Sequence, residues 1–588
     1  MKYLVNPLAA IAVSPFLVSA IAHTCPPLGQ VLPPPTAPNS NQVLKKATQK
    51  LGSTLKSHFT SNLNSSGVSV IVKSIHEDLP MFSYHYTPPE LSGIGTEEIN
   101  EKTIFRVGSL SKLLPALAAL QIDGIRMDDS VLKYIPELKN APTAGSVESI
   151  AWDEVTVDSL MTHLSGLPTD TAMDLGVFPI GLWQQIGLPP IPQGTGPSCS
   201  GLPGTAPCTK EDLVNDLKKR EPVYQPYTSP SYSNVGFAIL GMVIDAAING
   251  SYIDAIQNGV FDAVGMKSSS FNGYVESFPQ IGFVPVGETT WNATLGVFEG
   301  AGGMFSSTSD LIAFAEGVLT SRFLSPRRTR EWMKPRSHTS SWGYSVGAPW
   351  EIVRSDRLTA DGRIVDLYTK SGDLGLYHAL LGLVPDYDLS LALLAAGAEV
   401  SAETTAKIFS TIVEALIPAV DEAGRAEASA ATGALVGTYS EQATNSSIVL
   451  SINAENALVI KKFVVRGFDV LHHPDLYSLD ALSLGEGSLP KSPYVDARLY
   501  PTNLMGQTHD GVNKRSWRAV YETRTVKEQL AQDARLVAKQ GSCQSWFQLD
   551  RAAYDFHSIG DFVFSYGNGN GVEAITNAAF NITLSKGC

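Results

Sequence analysis

The stretch Phe105-Arg106-Val107-Gly108-Ser109-Leu110-Ser111-Lys112 decides how the rest of this chain is read. A β-type segment, Thr103 to Val107, ends in a glycine. Ser109 then leads into Leu113, Leu114, Leu117 and Leu120, an apolar stripe at helical spacing. That context predicts a serine at a helix N-terminus, where free backbone N–H groups and the dipole favour developing negative charge. Residues three apart share a helix face, so the Lys112 amine can reach the Ser109 hydroxyl. A lysine in a partly dry cleft can lose its charge and act as the base a serine needs to attack at neutral pH. Pro115 lies too far into the run for an ordinary first-turn proline, so a distorted first turn is expected.

The spacing by itself is weak. Ser-x-x-Lys occurs four times, at Ser53/Lys56, Ser109/Lys112, Ser130/Lys133 and Ser488/Lys491. An arbitrary copy is a surface helix or loop, and only Ser109 sits between a strand and an apolar helix. Two further motifs follow it in order. Tyr232-Ser233-Asn234 precedes the apolar helical run Val235, Phe237, Ala238 and Leu240, and Lys370-Ser371-Gly372 precedes two apolar strand-like runs. Each is unspecific alone, and Tyr-x-Asn recurs at Tyr566 to Asn568. The ordered set of three is specific.

At 588 residues, two domains are the natural expectation. With 44% hydrophobic and 17% charged residues the composition is globular. A formal charge of −14 argues against nucleic acid or an anionic membrane surface as partner. Lys2, the apolar stretch Leu8 to Val18 and Ala20-Ile21-Ala22 read as a secretory signal peptide over 1–22. The stretch is short and carries Pro15, which disfavours a membrane anchor.

Export suits five cysteines and five glycosylation sequons, at Asn64, Asn249, Asn292, Asn445 and Asn581. Cys199 and Cys208 are expected to close a local loop and Cys543 and Cys588 to tie the C-terminal segment, leaving Cys25 over; the count alone leaves the pairing open. None of the spacings resembles a zinc site, and the lysine–serine chemistry calls for no metal or other cofactor.

A Pro-rich arm spans 23–44, and a catalytic unit is expected over 45–421, with a Gly/Pro-rich insertion at about 168–230 that shapes binding. Within that unit, Val43 to Phe59 reads as a helix and Val68 to Ile75 and Met81 to Tyr86 as strands. Tyr377 to Val384 and Leu389 to Ala396 read as adjacent antiparallel strands, followed by a helix from about Ala402 to Ala419. Residues 422–432 read as an Ala-rich linker, and recurrent strand-like runs predict a β-rich domain over 433–588.

From Phe105–Lys112, Tyr232–Asn234 and Lys370–Gly372, supported by Leu160–Pro168 and Ala301–Leu311, the chain resembles the serine β-lactamase and penicillin-binding-protein superfamily over about 45 to 420. Its class C-like, esterase-like branch is the nearer likeness. The signal peptide and β-rich tail look like those of secreted fungal β-lactamase-like proteins. The resemblance implies an α/β (α+β) β-lactamase/transpeptidase-like fold: an antiparallel sheet flanked by helices, a helical subdomain, and a pocket between them. It also implies roles that the chemistry justifies. Ser109 attacks an acyl carbonyl of a small-molecule substrate and becomes acylated. Tyr232, its phenol lowered by flanking lysines, accepts the serine proton, while Lys112 shares that proton or holds Tyr232 ionised. Asn234 orients substrate and Lys112, and Lys370 adds positive potential and binds a substrate carboxylate. The backbone N–H groups of Ser109 and Asp373 form the oxyanion hole. His163 is the tempting extra base, but its place in a supporting stretch makes it structural.

Three departures stand out. Ser371 replaces the threonine common at that position and keeps the hydroxyl. Asp373 after Gly372 puts a carboxylate at the pocket mouth, which disfavours acidic substrates and strong penicillin turnover. No glutamate-bearing deacylation motif of the class A kind is identifiable. The leading expectation is a secreted serine hydrolase of esters or amides. An acyltransferase or transesterase of the same mechanism is the runner-up, and a non-catalytic secreted binding protein is the reading from another class.

Overall fold

The computed structural model describes residues 25–588 apart from 141–146, 172–173, 178–181, 193–194, 198, 200–205, 272–280, 431–434, 454–455, 474–495, 523, 539–540, 544, 551, 568–570 and 588. The expected signal peptide therefore lies outside the described residues.

The first domain is built on an antiparallel sheet. Its strands are β1 (Gly67–Ser74), β2 (Phe82–Tyr86), β5 (Ser337–His338), β6 (Tyr344–Val346), β7 (Glu351–Ser355), β8 (Val365–Leu374), β9 (Tyr377–Val384) and β10 (Leu389–Ala396). They lie side by side in the order β2-β1-β10-β9-β8-β7-β6-β5. Two short strands, β3 (Phe105–Arg106) and β4 (Phe305–Ser306), pair with each other outside it. The runs 377–384 and 389–396 are the adjacent antiparallel pair that their apolar sequence predicted, with Leu389 opposite Val384.

Those runs are continuous rather than alternating because both faces of the sheet are covered. Along β10, Ala392, Leu394 and Ala396 enter one core, while Leu391, Leu393 and Ala395 enter another on the opposite face. Five helices matter to this packing and to the site: α1 (Gln42–Leu55), α2 (Leu113–Gln121), α3 (Asn234–Ile248), α4 (Thr308–Leu319) and α5 (Ala402–Ser429). α1 packs on α5 over one face, where Leu44, Leu51, Ile408, Ile412 and Leu416 meet the strands. α2, α3 and α4 supply the opposite core.

α5 runs ten residues beyond Ala419, through much of the stretch expected to be a linker. Alanine and glutamate there are strong helix formers. The extension also has something to bury: Ala423 and Ala428 are covered, and Gly424 lies against the backbone of Pro33. That contact comes from the N-terminal arm, which crosses to the second domain, where Val31 packs with Tyr500 and Val520.

In the second domain nine strands form one sheet among the described residues. Pairing of Ser446–Ile452 with Leu458–Val465 closes most of it into a barrel, which leaves few exposed strand edges. Cys199 and Cys208 are bonded as expected, but Cys543 is bonded to Cys25, not Cys588. The correction follows from the arm. By docking on the second domain it carries Cys25 to within 5.3 Å of Cys543, Cα to Cα. Cys588 lies outside the described residues.

Candidate active site

Ser109 lies on a 3₁₀ turn, Gly108–Lys112, that precedes α2. This is the distortion that Pro115 predicted: the proline is the third residue of α2, where a helical N–H is dispensable. Arg106 anchors the strand ahead of the turn, its Nη1 donating to the carbonyls of Thr290, Trp291 and Ala293.

Two glycines let this turn lie directly on β8. Gly108 has φ +50, and a Cβ there would fall 2.7 Å from the Asp373 nitrogen. A Cβ on Gly372 would fall 2.0 Å from the Val107 carbonyl oxygen and 2.7 Å from the Ser109 nitrogen. The close approach brings together the backbone N–H groups of Ser109 and Asp373, the pair expected to receive an oxyanion.

Lys112 is fully buried, and besides the Tyr232 hydroxyl its Nζ has three close hydrogen-bond partners. They are Ser109 Oγ at 2.9 Å, Asn234 Oδ1 at 2.7 Å and the Ala301 carbonyl oxygen at 2.6 Å. Burial drives its pKa down to about 8, with Lys370 pushing the same way and Tyr232 and Glu351 opposing. Asn234 is held in turn by Asp170, whose Oδ2 accepts its Nδ2 at 2.8 Å and so fixes which way the amide faces.

Tyr232 and Asn234 flank Ser233, the N-cap of α3. The Ser233 hydroxyl accepts from Gly236 N–H and donates to the Pro168 carbonyl. His163 Nδ1 accepts the Ser233 N–H, and its ring stacks on Tyr232 with centroids 4.6 Å apart. Burial, reinforced by Lys112 and Lys370, holds the imidazole well below its ordinary pKa. A neutral ring whose Nδ1 is already an acceptor fits the structural role expected for His163. Burial alone would raise the Tyr232 phenol, but Lys370 and Lys112 outweigh it and lower the pKa. The two lysine Nζ atoms stand 5.3 and 4.9 Å from its ring centroid.

Lys370 is also fully buried, and here an expectation changes. Its Nζ lies 2.5 Å from Glu351 Oε1 and 2.9 Å from the Ser371 carbonyl. Burial would lower its pKa, yet Glu351 and Tyr232 raise it, so the charge is kept. An internal carboxylate therefore holds the amine that was expected to bind a substrate's. The Asp373 carboxylate bonds His378 Nδ1 at 2.6 Å.

The structure thus brings Ser109, Lys112, Tyr232, Asn234 and Lys370 together and lays the backbone of Gly372 and Asp373 against the Ser109 turn, while Ser371 and Asp373 also line a cavity with Glu351, Thr405 and Phe409. Asp170, Glu351 and the Ala301 carbonyl join them without having been anticipated. Ala301 lay in a stretch already singled out, whereas no motif marks the two carboxylates. All five sequon asparagines are exposed.

Residues 91–409 match the family described as "Beta-lactamase", and 426–587 match "Beta-lactamase-like-like, C-terminal domain". A "Beta-lactamase-like protein" of Arthroderma benhamiae is 26% identical over 91% of this chain and 91% of its own. "Probable hydrolase M10" of a Phoma species is 27% identical over 79% of this chain and 76% of its own. A solved class C β-lactamase is 20% identical, covering 63% of this chain and 96% of its own at a TM-score of 0.46.

Proposed function

Since the chain belongs to the beta-lactamase family, we propose that it is a secreted serine hydrolase that cleaves an ester or amide through an acyl-enzyme on Ser109. The observation that carries this reading is the bonding of Lys112. Two of its partners, Asn234 Oδ1 and the Ala301 carbonyl, only accept, and the others are the hydroxyls of Ser109 and Tyr232, which are also bonded to each other. A neutral amine donates its two protons to the first two and turns its lone pair to this hydroxyl pair, through which the serine proton can leave.

Ser109 Oγ attacks the substrate carbonyl carbon while its proton passes to Tyr232 phenolate or Lys112 amine. The developing oxyanion is received by the N–H groups of Ser109 and Asp373. Collapse breaks the bond to the leaving alcohol or amine, which takes that proton. Water then attacks the acyl-enzyme and loses a proton to the same base, which returns it to Ser109 Oγ as the acyl–oxygen bond breaks and the acid leaves. The apolar leader over 1–22, two disulfides and five exposed sequon asparagines support export and glycosylation.

The test incubates purified mature protein and Ser109→Ala with a fluorescent fluorophosphonate, then with ester, amide and β-lactam panels, each with and without added alcohol or amine acceptor. Labelling and turnover confined to the wild type are expected. Labelling that persists in Ser109→Ala would refute the nucleophile, and product found only with an acceptor would make the protein a transferase.

A further inference from the structure

Taking Ser109 as the acylated residue, we infer that Glu351 is a built-in carboxylate occupying the anion-recognition position beside the nucleophile, so that the natural acyl substrate is uncharged or cationic next to its scissile bond. The reason lies in the donors that Glu351 has taken. It begins β7, opposite Thr369 of β8, and β7 pairs with β8 no further towards the nucleophile. Beyond that point the edge of β8 carries no neighbouring strand among the described residues, and the Glu351 side chain turns along it. Oε1 takes the Lys370 ammonium at 2.5 Å. Oε2 takes the Ser371 backbone N–H at 2.8 Å and the Ser371 hydroxyl at 2.9 Å.

N–H groups two residues apart on a strand face the same edge. The Ser371 N–H bound by Glu351 and the Asp373 N–H assigned to the oxyanion are therefore successive donors on one rim. A substrate carboxylate bound there while its carbonyl sat in the oxyanion hole would need the same ammonium, hydroxyl and N–H that Glu351 holds. It would also meet Glu351 itself as a like charge in a largely dry setting, since the Glu351 side chain is only 18% exposed. Neighbouring charge points the same way. Asp170 stands behind Asn234, and the Asp373 carboxylate is 49% exposed. Asp373 is itself paired with His378, but Glu351 and Asp170 already match the charge of Lys370, an arrangement that favours a neutral or cationic group. Glu351 acts here as a specificity-determining residue.

The experiment measures kcat/KM for two aryl esters with the same leaving group, one carrying a carboxylate beside the scissile carbonyl and the other the corresponding primary amide. Wild type, Glu351→Gln and Glu351→Ala are compared, with fluorophosphonate labelling of Ser109 run on each. Wild type is expected to prefer the neutral ester by about 100-fold, as a like-charge contact of a few kcal/mol requires. In Glu351→Gln that preference narrows at least roughly tenfold, mainly through a lower KM for the anionic ester. Added formate or acetate competes with the anionic ester in Glu351→Ala and raises its KM while leaving wild type unchanged, an effect that a merely structural role would not give. If Glu351→Ala does not fold, the Glu351→Gln comparison decides alone. Equal use of both esters by a wild type that labels at Ser109, or a charge preference unchanged in Glu351→Gln, overturns the assignment of Glu351. A wild type that neither labels nor turns over either ester refutes instead the reading of Ser109 on which it rests.

Discussion

Lys112 Nζ lies 2.9 Å from Ser109 Oγ in a position with no access to bulk water, so its protonation state decides whether its own lone pair can take the serine proton. Burial lowers its pKa to about 8. Below that value the amine carries a third proton and has no lone pair for Ser109; above it the lone pair is free. For an uncharged ester, kcat/KM should rise about tenfold per pH unit up to an apparent pKa near 8 and then level off. That apparent value belongs to the coupled Lys112–Tyr232 pair. A flat profile between about pH 6 and 9 would contradict the base assignment.

Removing either member of that pair should be costly. Lys112→Ala and Tyr232→Phe are each expected to slow acylation by roughly 10²–10⁴-fold, the usual contribution of a positioned acid–base group. Stopped-flow acylation with a chromogenic ester measures this. Near-wild-type rates in either variant would exclude that residue from proton transfer.

Asp170 acts through Asn234. Its carboxylate accepts Nδ2 and so turns Oδ1 towards Lys112. In Asp170→Ala the amide can flip and point its N–H₂ at the ammonium, losing one of the acceptors around Nζ. We expect kcat to fall about 10- to 100-fold, as for lost supporting contacts, while KM changes little. The pH limb should shift to lower pH, because an ammonium that loses the Oδ1 acceptor and the nearby carboxylate gives up its proton more readily. An unmoved limb at full activity would show that Asp170 has only a structural role.

Gly372→Ala tests the contact that brings the two N–H groups together. The added carbon would fall 2.0 Å from the Val107 carbonyl, so the turn bearing Ser109 must move away from β8. Loss of one oxyanion donor typically costs about 10²–10³ in kcat. The fall should be seen in kcat at unchanged fluorescence and circular dichroism. Full activity would mean that the turn has slack the packing does not show.

Non-reducing peptide mapping should link Cys25 to Cys543 and not Cys543 to Cys588. Cys25→Ser should lower the unfolding temperature of the second domain, because the bond closes a loop spanning 518 residues. Chain entropy alone gives ~6 kcal/mol for a loop of this length, just above the roughly 5 kcal/mol that bounds observed effects. An unchanged melting curve would mean that the docked arm holds without its covalent tie.

Much of the site was legible because its residues carry local signals. Strand, glycine, serine and apolar helix mark Ser109, and the turn before α3 marks Tyr232 and Asn234. β9 and β10 could be read almost to the residue because each is apolar on both faces. Glu351 and Asp170 could not be read in this way. Each is one acidic residue among 57 Asp and Glu, and only the pairing of β7 with β8 and the packing of the insertion bring them to the lysines. The disulfide was misassigned for the same reason. Cys25 is distant in sequence from Cys543, and nothing local says that a Pro-rich arm crosses to the second domain. Residues 422–429 are helical because an alanine-rich stretch that looks like a linker becomes a helix once it has a face to bury.

Covalent chemistry at Ser109 can be watched as it happens, by rapid-quench intact-protein mass spectrometry with a slow ester or amide and peptide mapping of the adduct. A transient mass increase equal to the acyl group is expected, localised to the peptide containing Ser109 and absent from Ser109→Ala. Turnover with no adduct on the quench timescale, together with undiminished turnover in Ser109→Ala, would contradict it.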